Sequence, residues 1–237
     1  MNTISWLELS WCLIPILLVC CIYIYWEGRI SEILYASSRM LIQLLAMGYV
    51  LVAVFNHPSP WISTVIVISM LCAAAWIAIR PVRHIPGLLI PAAIALIIAI
   101  IIHLGTSLFL VLNIETWYSP QILIPLAGMY LANSMNAISI SCERFYAELS
   151  HKATPQNAKL FAFKAAMIPQ INSLLAVGLV ALPGMMTGQI LSGVSPLVAV
   201  RYQIMIMTMI LGTTGMGSAI MLWQLYRKQI RINTNQK

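Results

Sequence analysis

The chain has 237 residues, of which 61% are hydrophobic and only 8% charged. A water-soluble domain of this length carries roughly a quarter charged residues, so a soluble globular fold is excluded. The net charge of +7 would suit nucleic acid by its sign, but its placement along the chain assigns it another role.

Seven apolar stretches, 7–26, 38–55, 61–79, 88–112, 121–141, 165–190 and 201–223, each come close to the roughly 20 residues that cross a bilayer core. They predict an all-α fold: a polytopic transmembrane helix bundle of about seven spans, forming one transmembrane domain over 1–237. The first stretch has neither the basic n-region nor the small-residue cleavage site of a signal peptide. It also carries Glu8 and Pro15, and is read as a retained span. In the second span, Arg39 and Gln43 stand four apart on one helix face, with Arg39 at the boundary, where its stem can snorkel. The connections "NHPSP" (56–60) and "NIETWYSP" (113–120) have turn composition, and Trp61 and Trp117 beside them are interfacial aromatics. The fourth span carries His103, read as a helix–helix hydrogen-bond donor rather than a ligand.

With the amino terminus outside, segments 27–37, 80–87, 142–164 and 224–237 face the cytoplasm. Of the 13 Lys and Arg residues, 12 then lie inside or at the inner boundary: Arg29, Arg39, Arg80, Arg83, Arg144, Lys152, Lys159, Lys164, Arg227, Lys228, Arg231 and Lys237; only Arg201 lies outside. Positive residues set orientation in this way, so the carboxyl terminus is predicted to be cytoplasmic. The charge serves topology in a lipid bilayer, with no nucleic-acid partner.

The fifth span, "PLAGMYLANSMNAISIS" (125–141), places Asn133 and Asn136 three apart on one face. Two readings stand: asparagine as hydrogen-bonding glue between closely packed helices, or a polar stripe lining a path. The next segment, "CERFYAELSHKATPQNAKLFAFK" (142–164), is the one long polar stretch. It is expected to be a helix–turn–helix, with Thr154 as N-cap and Pro155 at the first helical position, forming a docking surface. The sixth span carries Gln170, Asn172 and Ser173 after Pro169 and then reads "LVALPGMMTGQIL" (179–191). Pro183 would free the Leu179 carbonyl, tolerated at this depth only beside protein or water. Met185, Met186 and Gln189 thereby become candidates for a cavity wall, while Gly184 and Gly188 also fit the close-packing motif. The seventh span opens "RYQIMIMTMI"; its thioethers suit soft metals but also fill gaps in bundles.

Catalytic signatures are missing. The sequence holds no phosphate loop, no Ser/His/Asp grouping and no HExxH, and its five cysteines lack zinc-ligand spacing. All six acidic residues lie in loops or near span ends. An enzyme is not expected, and no metal-ligand set is assigned.

The forty residues "IPQINSLLAVGLVALPGMMTGQILSGVSPLVAVRYQIMIM" (168–207) resemble the FetB-type permeases of ABC transporters, the UPF0014 membrane proteins. The same likeness runs through "RMLIQLLAMGYVL" (39–51), "IPLAGMYLANSMNAISIS" (124–141) and Ala153-Thr154-Pro155. Bacterial members of that family are linked to iron export and plant relatives to aluminium tolerance. The resemblance implies the membrane subunit of an exporter in the bacterial cytoplasmic (inner) membrane, moving metal ions such as iron. It further implies a homodimer driven by separate ATP-binding subunits; the chain itself would carry no cofactor, and its ATPase partner would bind ATP and Mg. The substrate path is then expected at Asn133, Asn136, Asn172, Met185, Met186 and Gln189. Coupling to the ATPase is expected at Glu143, Arg144, Glu148, Lys152, Thr154 and Pro155. A self-contained secondary carrier or channel, or an ABC permease for a substrate such as a sugar nucleotide, is the alternative. The chain departs from the family where His151-Lys152 stands in place of Leu-Gly, where Lys164 replaces Arg, and in a Pro155-to-Pro169 stretch about one helical turn short.

Overall fold

A computed structural model describes residues 4–235, with side chains described up to residue 231. Lys237, counted above in the charge pattern, lies outside the described residues. Nine α-helices account for most of them, and the only strand-like pairing among them is one isolated bridge, Val177 with Ala181. Six helical segments are long and apolar enough to cross a membrane: Trp6–Tyr25, Ile30–Asn56, Pro60–Ala78, Leu89–Val111, Pro120–Ser150 and Pro196–Arg231. The chain is a multi-pass, all-helical membrane protein. It divides into two compact units, Met1–His57 and Pro58–Lys237.

The first unit is a helical hairpin. α1 (Trp6–Ser10) opens with a capping box, in which the Ser5 side chain accepts the Glu8 N–H at 3.2 Å and the Glu8 carboxylate accepts the Ser5 N–H at 2.7 Å. This reciprocal bond satisfies two otherwise orphaned donors. The break in the first span falls at Trp11-Cys12 rather than at Pro15, which sits in the first turn of α2 (Leu13–Tyr25), where proline is tolerated. Gly28 donates to the Tyr23 carbonyl at 2.7 Å, and a β-carbon there would press on the Tyr23 ring. α3 (Ile30–Asn56) follows. Apolar side chains of this hairpin are almost all exposed, as lipid-facing helices require.

The second unit starts at α4 (Pro60–Ala78) and a 3-10 turn, Arg80–Val82. α5 (Leu89–Gly105) continues as a π-helical turn, Thr106–Val111, in which the Leu112 N–H reaches back to the Ser107 carbonyl at 2.9 Å. α6 (Pro120–Ser150), α7 (Pro155–Ala176), α8 (Gly184–Leu191) and α9 (Pro196–Asn235) complete it. Pro60, Pro120 and Pro155 open α4, α6 and α7, the position where the missing N–H costs nothing. α6 and α9 form the centre, each packed against the other and against α5 and α7, and α6 against α4 as well.

Small residues make this packing possible. Ala74, Ala75 and Ala78 of α4, Ala92, Ala95 and Ala99 of α5, Ala158, Ala162 and Ala166 of α7, and Thr213, Thr214 and Ser218 of α9 are all buried. In lipid no hydrophobic force drives helices together, so close backbone approach and dispersion must do so. Tyr130 and Phe145, both wholly buried on α6, are the largest side chains in the core. His103 hydrogen-bonds within its own helix rather than across two as expected: its Nδ1 donates to the Ala99 carbonyl at 2.8 Å.

The polar segment and the sixth span fare differently against expectation. Residues 142–164 form the expected helix–turn–helix, but its two helices are continuous with the neighbouring long helices: α6 runs on to Ser150 and α7 begins at Pro155, leaving a four-residue turn. The span 165–190 is not one helix. α7 stops at Ala176, seven residues before Pro183, and α8 starts anew at Gly184. Gly178, at φ 83°, takes the left-handed conformation there and donates to the Ala181 carbonyl at 3.0 Å, while the Val180 N–H bonds back to Ala176. Pro183 breaks no helix; it is the extended N-cap of α8, at φ −62° and ψ 144°.

Candidate functional site

The turn between α6 and α7 is built bond by bond. His151 caps α6; Lys152 is left-handed at φ 63° and donates to the Leu149 carbonyl at 3.0 Å, and Ala153 donates to the Glu148 carbonyl at 3.0 Å. This is a Schellman motif with lysine where glycine is usual. Two residues on, the Thr154 side chain accepts the Asn157 N–H at 3.3 Å, with Pro155 at the first helical position, as the sequence predicted. At 1.5 Å per residue, the 31 residues of α6 rise about 46 Å, against about 30 Å of hydrocarbon. α6 is therefore longer than the hydrocarbon core is thick. The residues expected to couple lie on the tip of the α6–α7 hairpin: Glu143, Arg144, Lys152 and Thr154 are exposed, Glu148 and Pro155 half-buried. Arg144 pairs with Glu148 one turn on. The tip is anchored below by buried Cys142, Phe145 and Ala158 and sideways by Lys159, whose ammonium sits 4.4 Å from the ring centre of Tyr226 on α9.

Three cavities receive five of the six expected path residues and keep them apart. Asn133 and Asn136 of α6 line a cavity of about 100 Å³ together with Gln170 and Ser173 of α7 and Thr214 of α9. Met185 and Gln189 of α8 line another, of about 330 Å³, with Gln121 and Pro125 at the start of α6 and Tyr202 and Met205 of α9. Met186 lines a third, of about 320 Å³, with Gln203 and Met207 of α9. Asn172 is exposed and lines none of these. A β-carbon added at Gly184 or Gly188 would meet nothing within 4 Å, so this pair mediates no close packing within the chain.

The smallest cavity is the most polar in its chemistry. Gln170 Nε2 and Thr214 Oγ1 are buried on its wall without any hydrogen-bond partner, a state that costs on the order of 1–3 kcal/mol per group when nothing fills the site. Asn133 donates its amide to the Met129 carbonyl at 2.8 Å, which fixes the side chain and leaves its oxygen free to accept. Sequence reading passed over Gln170 in favour of Asn172 and missed Thr214. The signal was present in α7: buried Ala158, Ala162, Ala166 and Gln170 recur every fourth residue. Asn172, two positions beyond Gln170, points to the opposite side of the helix.

The family described as "Uncharacterised protein family (UPF0014)" matches residues 6–162 and 156–230. The chain belongs to the UPF0014 family. It is 33% identical over 95% of its length, and 93% of the relative's, to a UPF0014 membrane protein of Synechocystis. To the "Probable iron export permease protein FetB" of Escherichia coli it is 33% identical over 84% of this chain and 81% of that one. To the Arabidopsis thaliana protein named "ALUMINUM SENSITIVE 3" it is 31% identical over 79% and 73%. No solved structure matches the chain. For a UPF0014 chain, the arrangement provides two separate features: a helical hairpin closed by a hydrogen-bonded turn and a neutral hydrogen-bonding cavity between α6, α7 and α9.

Proposed function

We propose that this chain is the membrane subunit of an ABC exporter that moves metal ions, iron among them, out of the bacterial cytoplasm across the inner membrane. The observation that carries the reading is the α6–α7 hairpin, whose turn is closed by backbone hydrogen bonds and whose shafts line the Asn133–Gln170 cavity. Separate subunits bind ATP and Mg, since the sequence has no phosphate loop of its own. They dock on Glu143, Arg144, Glu148, Lys152, Thr154 and Pro155, and their closure tilts α6 and α7 as rigid rods. Two copies of the chain face each other, and the movement opens the path at Asn133 and Asn136 to alternate sides. The distribution of Lys and Arg supports a cytoplasmic hairpin tip. The relative named as an iron export permease supports the substrate class.

The test is purification from the native host followed by reconstitution in vesicles with the co-purifying ATPase. ATP hydrolysis stimulated by iron salts within a panel of metals and anions, and lost on Glu148→Lys, is expected. Metal movement by the chain alone, without any nucleotide-binding subunit, would overturn the reading in favour of a self-contained carrier or channel.

A further inference from the structure

The interior of Pro58–Lys237 is poorly suited to a bare metal cation. Its acidic residues are Glu115, in the connection before α6, and Glu143 and Glu148, near the end of α6. None of them lines any of the three cavities described above. Among the described residues, no group of three His, Cys, Asp or Glu could hold a metal ion. A bare divalent ion at membrane depth would lose its hydration and meet no negative charge in exchange, a heavy penalty in a low dielectric.

What the α6–α7–α9 cavity does offer, beside the free amide oxygen of Asn133, is unused buried hydrogen-bond donors. Gln170 and Thr214 are only 5% and 2% exposed, yet Nε2 of one and Oγ1 of the other have no partner and both residues line the cavity. Nε2 can only donate, and the hydroxyl has a proton to give. Asn136 and Ser173 line the same cavity and are themselves exposed, so it is open on their side. A ligand that satisfies such a set must bring acceptors, and anionic oxygens accept most strongly. The space of about 100 Å³ holds one such head group, several times what a single water needs.

We propose that this cavity binds the oxygens of a carboxylate or phosphate group, so that a metal crosses the membrane as an anionic chelate rather than as a bare ion. The proposal rests on the cavity being part of the transport path, but its binding step belongs to this chain alone.

The test measures binding to the purified full chain in lipid nanodiscs, without ATPase, by calorimetry. The probes are citrate, ferric citrate, inorganic phosphate and ferrous ion alone. Citrate or phosphate, with or without iron, is expected to bind, and Gln170→Leu and Thr214→Val each to weaken it about tenfold or more; Thr64→Val, on α4 outside the cavity, leaves it unchanged. Both cavity variants remove an unpartnered buried polar atom, so they should fold and melt no lower than the parent. If ferrous ion alone binds and loses its affinity on Gln170→Leu, or if no oxyanion probe responds to either variant, the proposal is wrong. A result in which the oxyanions bind as expected while no ATPase ever associates would leave this inference standing and overturn the exporter reading instead.

Discussion

The imidazole of His103 on α5 lies against Gly212 of α9 so closely that a β-carbon at position 212 would overlap the ring. The ring is held there because Nδ1 donates to the Ala99 carbonyl one turn back, at 2.8 Å. His103 is therefore a packing element of the α5–α9 contact, and residue 212 is confined to glycine by its neighbour. Gly212 is helical, so the constraint is steric and not conformational.

Gly212→Ala is expected to destabilise the protein by about 1–3 kcal/mol, the usual cost of overpacking. Thermal unfolding in detergent should record it as a lowered Tm. His103→Ala combined with Gly212→Ala should recover most of the loss, because the clash disappears with the ring. A double variant no better than Gly212→Ala would show that something other than the imidazole limits the site.

Ser107 and Tyr130 make a second coupling between α5 and α6. The Ser107 hydroxyl, in the π-helical turn, donates to the His103 carbonyl at 2.8 Å, so its contact with the Tyr130 hydroxyl at 2.7 Å has tyrosine as donor. Ser107→Ala strands a wholly buried phenol and should cost on the order of 1–3 kcal/mol, whereas Tyr130→Phe leaves serine bonded and should cost about 1 kcal/mol or less. Chemical denaturation of both variants in one detergent checks the order. The reverse ranking would mean that the donor assignment is inverted.

Lys152 holds a left-handed conformation, φ 63°, at the place in the Schellman turn where glycine is favoured. Lys152→Gly is expected to relieve about 1 kcal/mol of strain and raise Tm, while Thr154→Ala removes the cap of α7 and should lower stability by about 1 kcal/mol. If Lys152 contacts an ATPase, Lys152→Gly weakens co-purification even as it stabilises the hairpin. A measured rise in Tm with unchanged complex yield would remove Lys152 from the docking surface.

The all-helical membrane class was legible from residues 1–237 because composition decides it: with 8% charged residues, no soluble surface can be made. The turn at 151–154 was legible for a local reason as well, since Thr154-Pro155 satisfies an N-cap and an N1 position whatever surrounds it. Resemblance in 168–207 and 124–141 identified the family that the whole-chain match then showed.

The fate of the sixth span could not be read in the same way. Hydropathy runs through 165–190 without interruption, yet α7 ends at Ala176 and Gly178 turns the chain there. Pro183 drew attention as the obvious breaker, but proline is equally at home before a new helix, and only the folded chain distinguishes the two. The polar residues behaved likewise. Asn133, Asn136, Met185, Met186 and Gln189 are all polar or polarizable groups in apolar runs, and nothing local tells which of them share a space. Local sequence determined the class, the spans other than the sixth and the hairpin turn, because each follows from short-range chemistry and from the cost of polar groups in lipid. The convergence of Asn133, Asn136, Gln170 and Thr214 on one cavity, and the confinement of Gly212 by His103, were decided by the tertiary structure. Which faces of α5, α6, α7 and α9 meet depends on the packing of the whole bundle.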